Sequence, residues 1–203
     1  MFLDSRPESS GTSDAAADRA QALDLAELTA SAQGDRAAFE RLYRRYFPRL
    51  ARFLRRFTAR ADMTEDVINK AMWVVWSKAG EFRGDTKVGT WITGIAYRCM
   101  LKALRDGGDT TLQEEYIEAN ETGSALAADD EELRDWVGKG LRLLPDELRT
   151  TMELAYLVGL SCAEVGEVMG CAEGTVKARM FNARLRLRNL MPALGGLRKR
   201  EGA

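Results

Sequence analysis

The sequence contains no histidine, and its three cysteines, Cys99, Cys162 and Cys171, form no CxxC pair. These absences remove Ser-His and Cys-His catalysis and most zinc sites, which need imidazoles or closely spaced thiolates. No metal and no cofactor are therefore expected. The cysteines read as small buried or half-buried thiols. No apolar run approaches the roughly 20 residues that cross a bilayer, so membrane insertion is not expected. Residues 1–21 lack the basic start and apolar centre of a signal peptide, which makes a cytoplasmic location the expectation. Alternating, strand-like runs are also missing, and the chain reads as all-α.

Net charge is nearly absent, at −1, but it is strongly segregated. Residues 1–35 carry 2 basic and 7 acidic side chains, and residues 36–105 carry 16 and 6. Residues 106–135 carry 1 basic and 11 acidic side chains, and residues 136–203 carry 11 and 7. Two basic blocks separated by an acidic one suggest two modules that meet polyanions, joined by a segment that does not. Solvated helix faces are the plainer alternative.

Helical periodicity fills both basic blocks. The run "DRAAFERLYRRYFPRLARFLRRF" places Phe39, Leu42, Tyr43, Tyr46, Leu50, Phe53, Leu54 and Phe57 on one stripe, and Pro48 is expected to kink or split it. In "MTEDVINKAMWVVW", Ile68, Ala71, Met72 and Val75 form a buried stripe, while Glu65, Asp66, Asn69 and Lys70 share the solvated side. Gly80, Gly84 and Gly89 break the pattern into a loop, and "TWITGIAYRCMLKALR" restores it. The organisation expected is a disordered tail over 1–34, a helical domain over 35–105, an acidic flexible linker over 106–130, a second helical domain over 131–192 and a basic tail over 193–203.

The second domain carries its own punctuation. Pro145 suits a first helical position, Ser161 and Glu164 are spaced as a capping box, and Gly170 closes a two-turn helix. A longer helix follows, with Val176, Met180 and Leu187 inward and basic residues outward. A short helix, a tight turn and a longer basic helix make a helix-turn-helix.

In this order, "AFERLYRRYFPRL", "EDVINKAMWVVW", the loop at Phe82, "TWITGIAYRCMLKALR" and "GTVKAR" resemble a bacterial RNA polymerase sigma factor of the extracytoplasmic-function type. This minimal kind has only a region-2 and a region-4 domain, and the resemblance covers roughly residues 35–190. It implies binding to core RNA polymerase, through its β′ coiled coil and β flap, and to promoter DNA. Glu65, Asp66, Asn69 and Lys70 would dock on polymerase. Phe82, Arg83, Lys87, Arg98, Lys102 and Arg105 would meet the −10 element, partly as single strand. Glu173, Thr175, Lys177, Arg179, Arg184 and Arg188 would meet the −35 element.

Three departures stand out against the family pattern. Ala172 replaces the usual Ser or Thr cap before the recognition helix. Arg98 and Lys102 add positive charge to the last helix of the first domain. Met63, Thr64 and Lys70 leave the polymerase-docking face short of acid. A phosphate on Thr64 would restore about −1.5 to −2 charges, so a Ser/Thr kinase and a separate anti-sigma protein are the two regulators to weigh. A two-domain helix-turn-helix regulator, and a sigma-like adaptor that never opens DNA, are the rival functions.

Overall fold

The computed structural model describes residues 10–106 and 137–198, and every regular element among them is helical. The first unit holds α1 (Ser10–Ala32), α2 (Arg36–Leu54), α3 (Ala61–Lys78), a 3₁₀ turn (Ala79–Glu81) and α4 (Val88–Asp106). The second holds a helical stretch at 137–142 (α5), α6 (Asp146–Glu153) running into a π turn (Leu154–Val158), α7 (Cys162–Met169) and α8 (Glu173–Arg198).

The predicted stripes form the core. Leu42, Leu50, Phe53 and Leu54 of α2 meet Val67, Ile68, Ala71, Met72 and Val75 of α3, with Val88, Ile92, Ala96 and Met100 of α4 closing the bundle. Helix α2 stays continuous through Pro48, which is exposed. The expected split does not occur, and burial of the flanking Tyr46, Leu50 and Phe53 holds both halves of α2 on one core.

The N-terminal segment departs from expectation. Residues 10–32 are a helix packed on the bundle, not a disordered lead-in. Its inward stripe is Asp24, Glu27, Leu28 and Ser31, at i, i+3, i+4 and i+7, and three of those four are polar. They are buried because the first basic block answers them. Glu27 accepts from Arg41 at 3.0 Å, Asp24 and Glu27 both pair with Arg45, and the Tyr46 hydroxyl donates to Asp24 at 2.5 Å. Burial and the Asp24 carboxylate push the Tyr46 phenol well above its ordinary range. Part of the basic block is thus neutralised inside the protein.

The acidic linker expected over 106–130 lies outside the described residues apart from Asp106, the last residue of α4. The basic tail is not separate from the fold at its start, because α8 stays helical to Arg198. In the second unit Pro145 is the N-cap, one position earlier than its expected place. Ser161 and Glu164 form the capping box, and Gly159 and Gly170 end their helices at φ of 82° and 68°.

Candidate nucleic-acid and polymerase interface

The loop between α3 and α4 presents its polar residues to solvent. Arg83, Asp85 and Lys87 are exposed, Gly84 takes φ of 78°, and Phe82 is half-buried with its ring 5.2 Å from that of Trp91. That contact makes Phe82 both a loop anchor and a partly open aromatic face. On α4, Arg98, Lys102 and Arg105 are all exposed and recur at i, i+4 and i+7, forming one cationic row.

The helix-turn-helix is α7, the turn at Gly170–Ala172, and α8. Val176, Met180 and Ala183 are buried on the inner side of α8. Thr175 and Arg188 are exposed on its outer side, and Lys177 pairs with Glu173 at 2.7 Å while staying open to solvent. Arg184 donates to the Tyr156 hydroxyl at 2.8 Å. Arg179 corrects the sequence reading: its guanidinium is turned back to Glu147 of α6 at 2.7 Å and to the Cys171 sulfur at 3.6 Å. It braces α8 against α6 and does not reach outward. Helix α8 begins after Ala172 without a side-chain cap, and the backbone N–H of Thr175 donates to the Ala172 carbonyl.

The close approach within the helix-turn-helix depends on a residue that periodicity does not single out. A Cβ on Gly166 would lie 2.6 Å from the Cys171 carbonyl oxygen, a backbone atom. Only a bare Cα lets the turn fold over α7.

On α3, Glu65, Asp66, Asn69 and Lys70 are exposed together as expected. The Asn69 side-chain oxygen accepts from the Tyr43 hydroxyl at 2.8 Å, which fixes the α2 edge of this face. Thr64 is not on it. The residue is 2% exposed, on the stripe of Val67 and Ala71, and its hydroxyl donates to the Arg60 carbonyl at 3.1 Å. It also lies one position beyond the first helical turn, with its own N–H bonded back to Arg60. The placement of Thr64 on the outward face is therefore corrected: its hydroxyl is buried beside Val67 and Ala71. Trp73 is 69% exposed.

The two helical units dock on one another. Glu164 completes the cap of α7 by accepting from the Ser161 N–H at 2.8 Å. Its other oxygen reaches the first unit, accepting from Thr90 at 3.1 Å and pairing with Lys87 at 3.2 Å. Burial opposes the charge, but the bonds from Ser161, Lys87 and Thr90 hold this carboxyl below its ordinary range. Arg52 of α2 adds a bond to the Leu157 carbonyl in the π turn at 3.0 Å. The replacement Glu164→Gln keeps the capping box, which accepts Gln, and removes the charge facing Lys87. Because Lys87 is largely exposed, the expected loss is about 0.5 kcal/mol, roughly a twofold shift toward undocked units. Energy transfer between a dye on each unit reads it; unchanged efficiency would show that the ion pair does not hold the units together.

Comparison with known proteins agrees with this arrangement. The family models described as Sigma-70 region 2 and Sigma-70, region 4 match residues 42–110 and 134–187, the first and second units respectively. The ECF RNA polymerase sigma factor SigM of Mycobacterium tuberculosis is 32% identical over 176 residues, covering 85% of this chain and 87% of that relative. The chain belongs to the ECF RNA polymerase sigma factors. Among solved structures, the sigma factor RpoE from Bartonella quintana, in complex with the anti-sigma factor NepR, superposes with a TM-score of 0.58 at 25% identity, covering 76% and 96% of the two chains. CnrH, in complex with the cytosolic domain of CnrY, gives a TM-score of 0.63 at 24% identity over 84% and 98%, a likeness of fold. Among the described residues, no group of side chains suits a metal ion and no helix is long and apolar enough to cross a membrane.

Proposed function

We propose that this sigma factor binds core RNA polymerase through the outer face of α3, sets α8 in the major groove of a −35 element and brings the Phe82 loop and α4 to a −10 element as it opens. The observation that carries the reading is the helix-turn-helix with Lys177, Arg184 and Arg188 open on α8, in one chain with the exposed cationic row of α4. If those three α8 cations each neutralise one phosphate, duplex binding should follow salt with a log–log slope of about −2.7. Replacing Arg184 and Arg188 by alanine should reduce the slope by about 1.8. A slope unchanged in the double variant, measured by anisotropy with labelled −35 duplex, would remove α8 from the interface.

The docked units bear on regulation. Lys87 cannot hold both Glu164 and a promoter phosphate, so DNA engagement by the loop competes with docking. A solved relative is bound to an anti-sigma factor, and we extend that mode of control to this chain: a separate anti-sigma protein holds the units together until it is removed. Burial of Thr64 favours this reading over a kinase acting at that residue. A rival function, the adaptor that binds polymerase without opening DNA, shares every contact except those of Phe82 and the α4 row. Permanganate footprinting of the −10 thymines, with core polymerase present, separates the two.

A further inference from the structure

The start of α4 is held from outside its own segment. Val88 opens that helix, and its N–H is one of the donors that a helix leaves without an internal partner. The two preceding side chains do not answer it. Lys87 has no acceptor to offer, and the Thr86 hydroxyl is buried without a hydrogen-bond partner. The acceptor comes from α1: Gln21 Oε1 receives the Val88 N–H at 3.3 Å, across 67 positions of sequence. One residue on, Tyr46 closes against the bare Cα of Gly89, where a Cβ would lie 2.9 Å from the Tyr46 hydroxyl oxygen. That hydroxyl donates to Asp24 of α1. The other end of the Phe82 loop also meets α1. A Cβ on Gly80, in the 3₁₀ turn that leads into the loop, would lie 4.0 Å from the Cβ of Ala32.

Resting on the proposed sigma function, we infer that α1 is a brace for the Phe82 loop, and that Gln21 is the positioning residue that fixes the loop's exit into α4 for capture of the opened −10 strand. The make-up of α1 suits this role. Gln21 lies one turn before Asp24 on the inner side that Glu27, Leu28 and Ser31 continue, and among the described residues of α1 only Leu28 is a buried apolar side chain. Such a stripe contributes little through apolar burial. Its contacts are directional, and they fix where α1 sits. Gln21 and Ala32 stand eleven positions apart on one continuous helix, about 16 Å, so a single rod sets both ends of the loop. A loop held at its ends has less freedom to lose when a strand binds it. The brace matters most once the units part. While they are docked, Glu164 of α7 also holds this junction through Lys87 and Thr90. After DNA takes Lys87, Gln21 and the Tyr46–Asp24 pair still hold it.

The test uses the full chain. Amide exchange at Val88, read by NMR in the free protein, should quicken about fivefold in Gln21→Ala, as loss of one hydrogen bond does. It should hold in Gln21→Glu, which keeps an acceptor oxygen. Opening is read with purified core polymerase, on a linear fragment whose start is used only when the chain is present. Permanganate reactivity of its −10 thymines should fall about fivefold in Gln21→Ala and recover in Gln21→Glu. Affinity for core and for the −35 duplex should not change in either variant. Opening by Gln21→Ala within twofold of the unaltered chain would overturn the brace, and so would unchanged exchange at Val88 or equal losses in the two variants. A parallel fall in −35 binding would overturn it as well, and leave Gln21 a residue of general stability. Absence of any start that depends on the unaltered chain would instead overturn the sigma reading, and the brace with it.

Discussion

Gly166→Ala is expected to destabilise the helix-turn-helix by about 2 kcal/mol and to abolish −35 binding at temperatures where the unaltered protein binds. Alanine favours helix over glycine by about 1 kcal/mol, so propensity alone predicts a gain. The close approach reverses the sign. A methyl group 2.6 Å from the Cys171 carbonyl oxygen must displace backbone, and overpacking of this kind costs about 1–3 kcal/mol. The displaced turn also positions the start of α8, because the Cys171 N–H donates to the Gly166 carbonyl at 2.9 Å. Urea unfolding and −35 duplex binding read the two consequences. A gain in stability with binding intact would show that the turn has room the geometry denies.

The second large effect is a dependence on pH centred on Glu153. This carboxyl is 2% exposed, and one of its oxygens, Oε1, has no hydrogen-bond partner. Burial raises its pKa to about 7, against the opposing pull of Arg56, which follows α2, and Arg149 of its own helix. The unfolded value is near 4.5, so the folded protein holds a proton that the unfolded chain has released. Stability is therefore greatest below about pH 4.5 as far as this group is concerned. It falls as pH rises to about 7, then levels off. A shift of this size corresponds to an order of 3 kcal/mol. Glu153→Gln is uncharged at every pH and should remove the decline, leaving the variant more stable than the parent at pH 8. Melting midpoints of both proteins between pH 5 and 8 give the answer; parallel curves would contradict it.

Both residues illustrate what periodicity conveys. The apolar stripes of α2, α3 and α4, the capping box at Ser161 and Glu164, and the inward Val176 and Met180 were legible because local sequence determines them. Helix α1 was not, because its buried stripe is made of Asp24, Glu27 and Ser31, and a pattern search for apolar residues passes over carboxylates. Their partners, Arg41 and Arg45, look like DNA-binding charge until the helix that neutralises them is in place. Arg179 misleads in the same way: a cation near the start of a recognition helix points to DNA, and only the position of Glu147 on α6 shows that it is occupied. Thr64 lies on the wrong side of the wheel by one residue, beside Val67 and Ala71. Docking of the two units was invisible for another reason. Glu164 reads as a local cap, which it is, and nothing local discloses that its second oxygen meets Lys87 and Thr90 some seventy positions away.

The proposed role is to direct polymerase to promoters and to open them with both units. The most direct measurement is transcription by purified core polymerase on fragmented genomic DNA, with and without the chain, mapping the 5′ ends of the products. New starts are expected to appear only with the chain, preceded by a shared pair of spaced elements, and to be lost together when Lys177 and Arg184 are replaced by alanine. Products identical to those of core polymerase alone, or fewer, from a chain that binds core would contradict it.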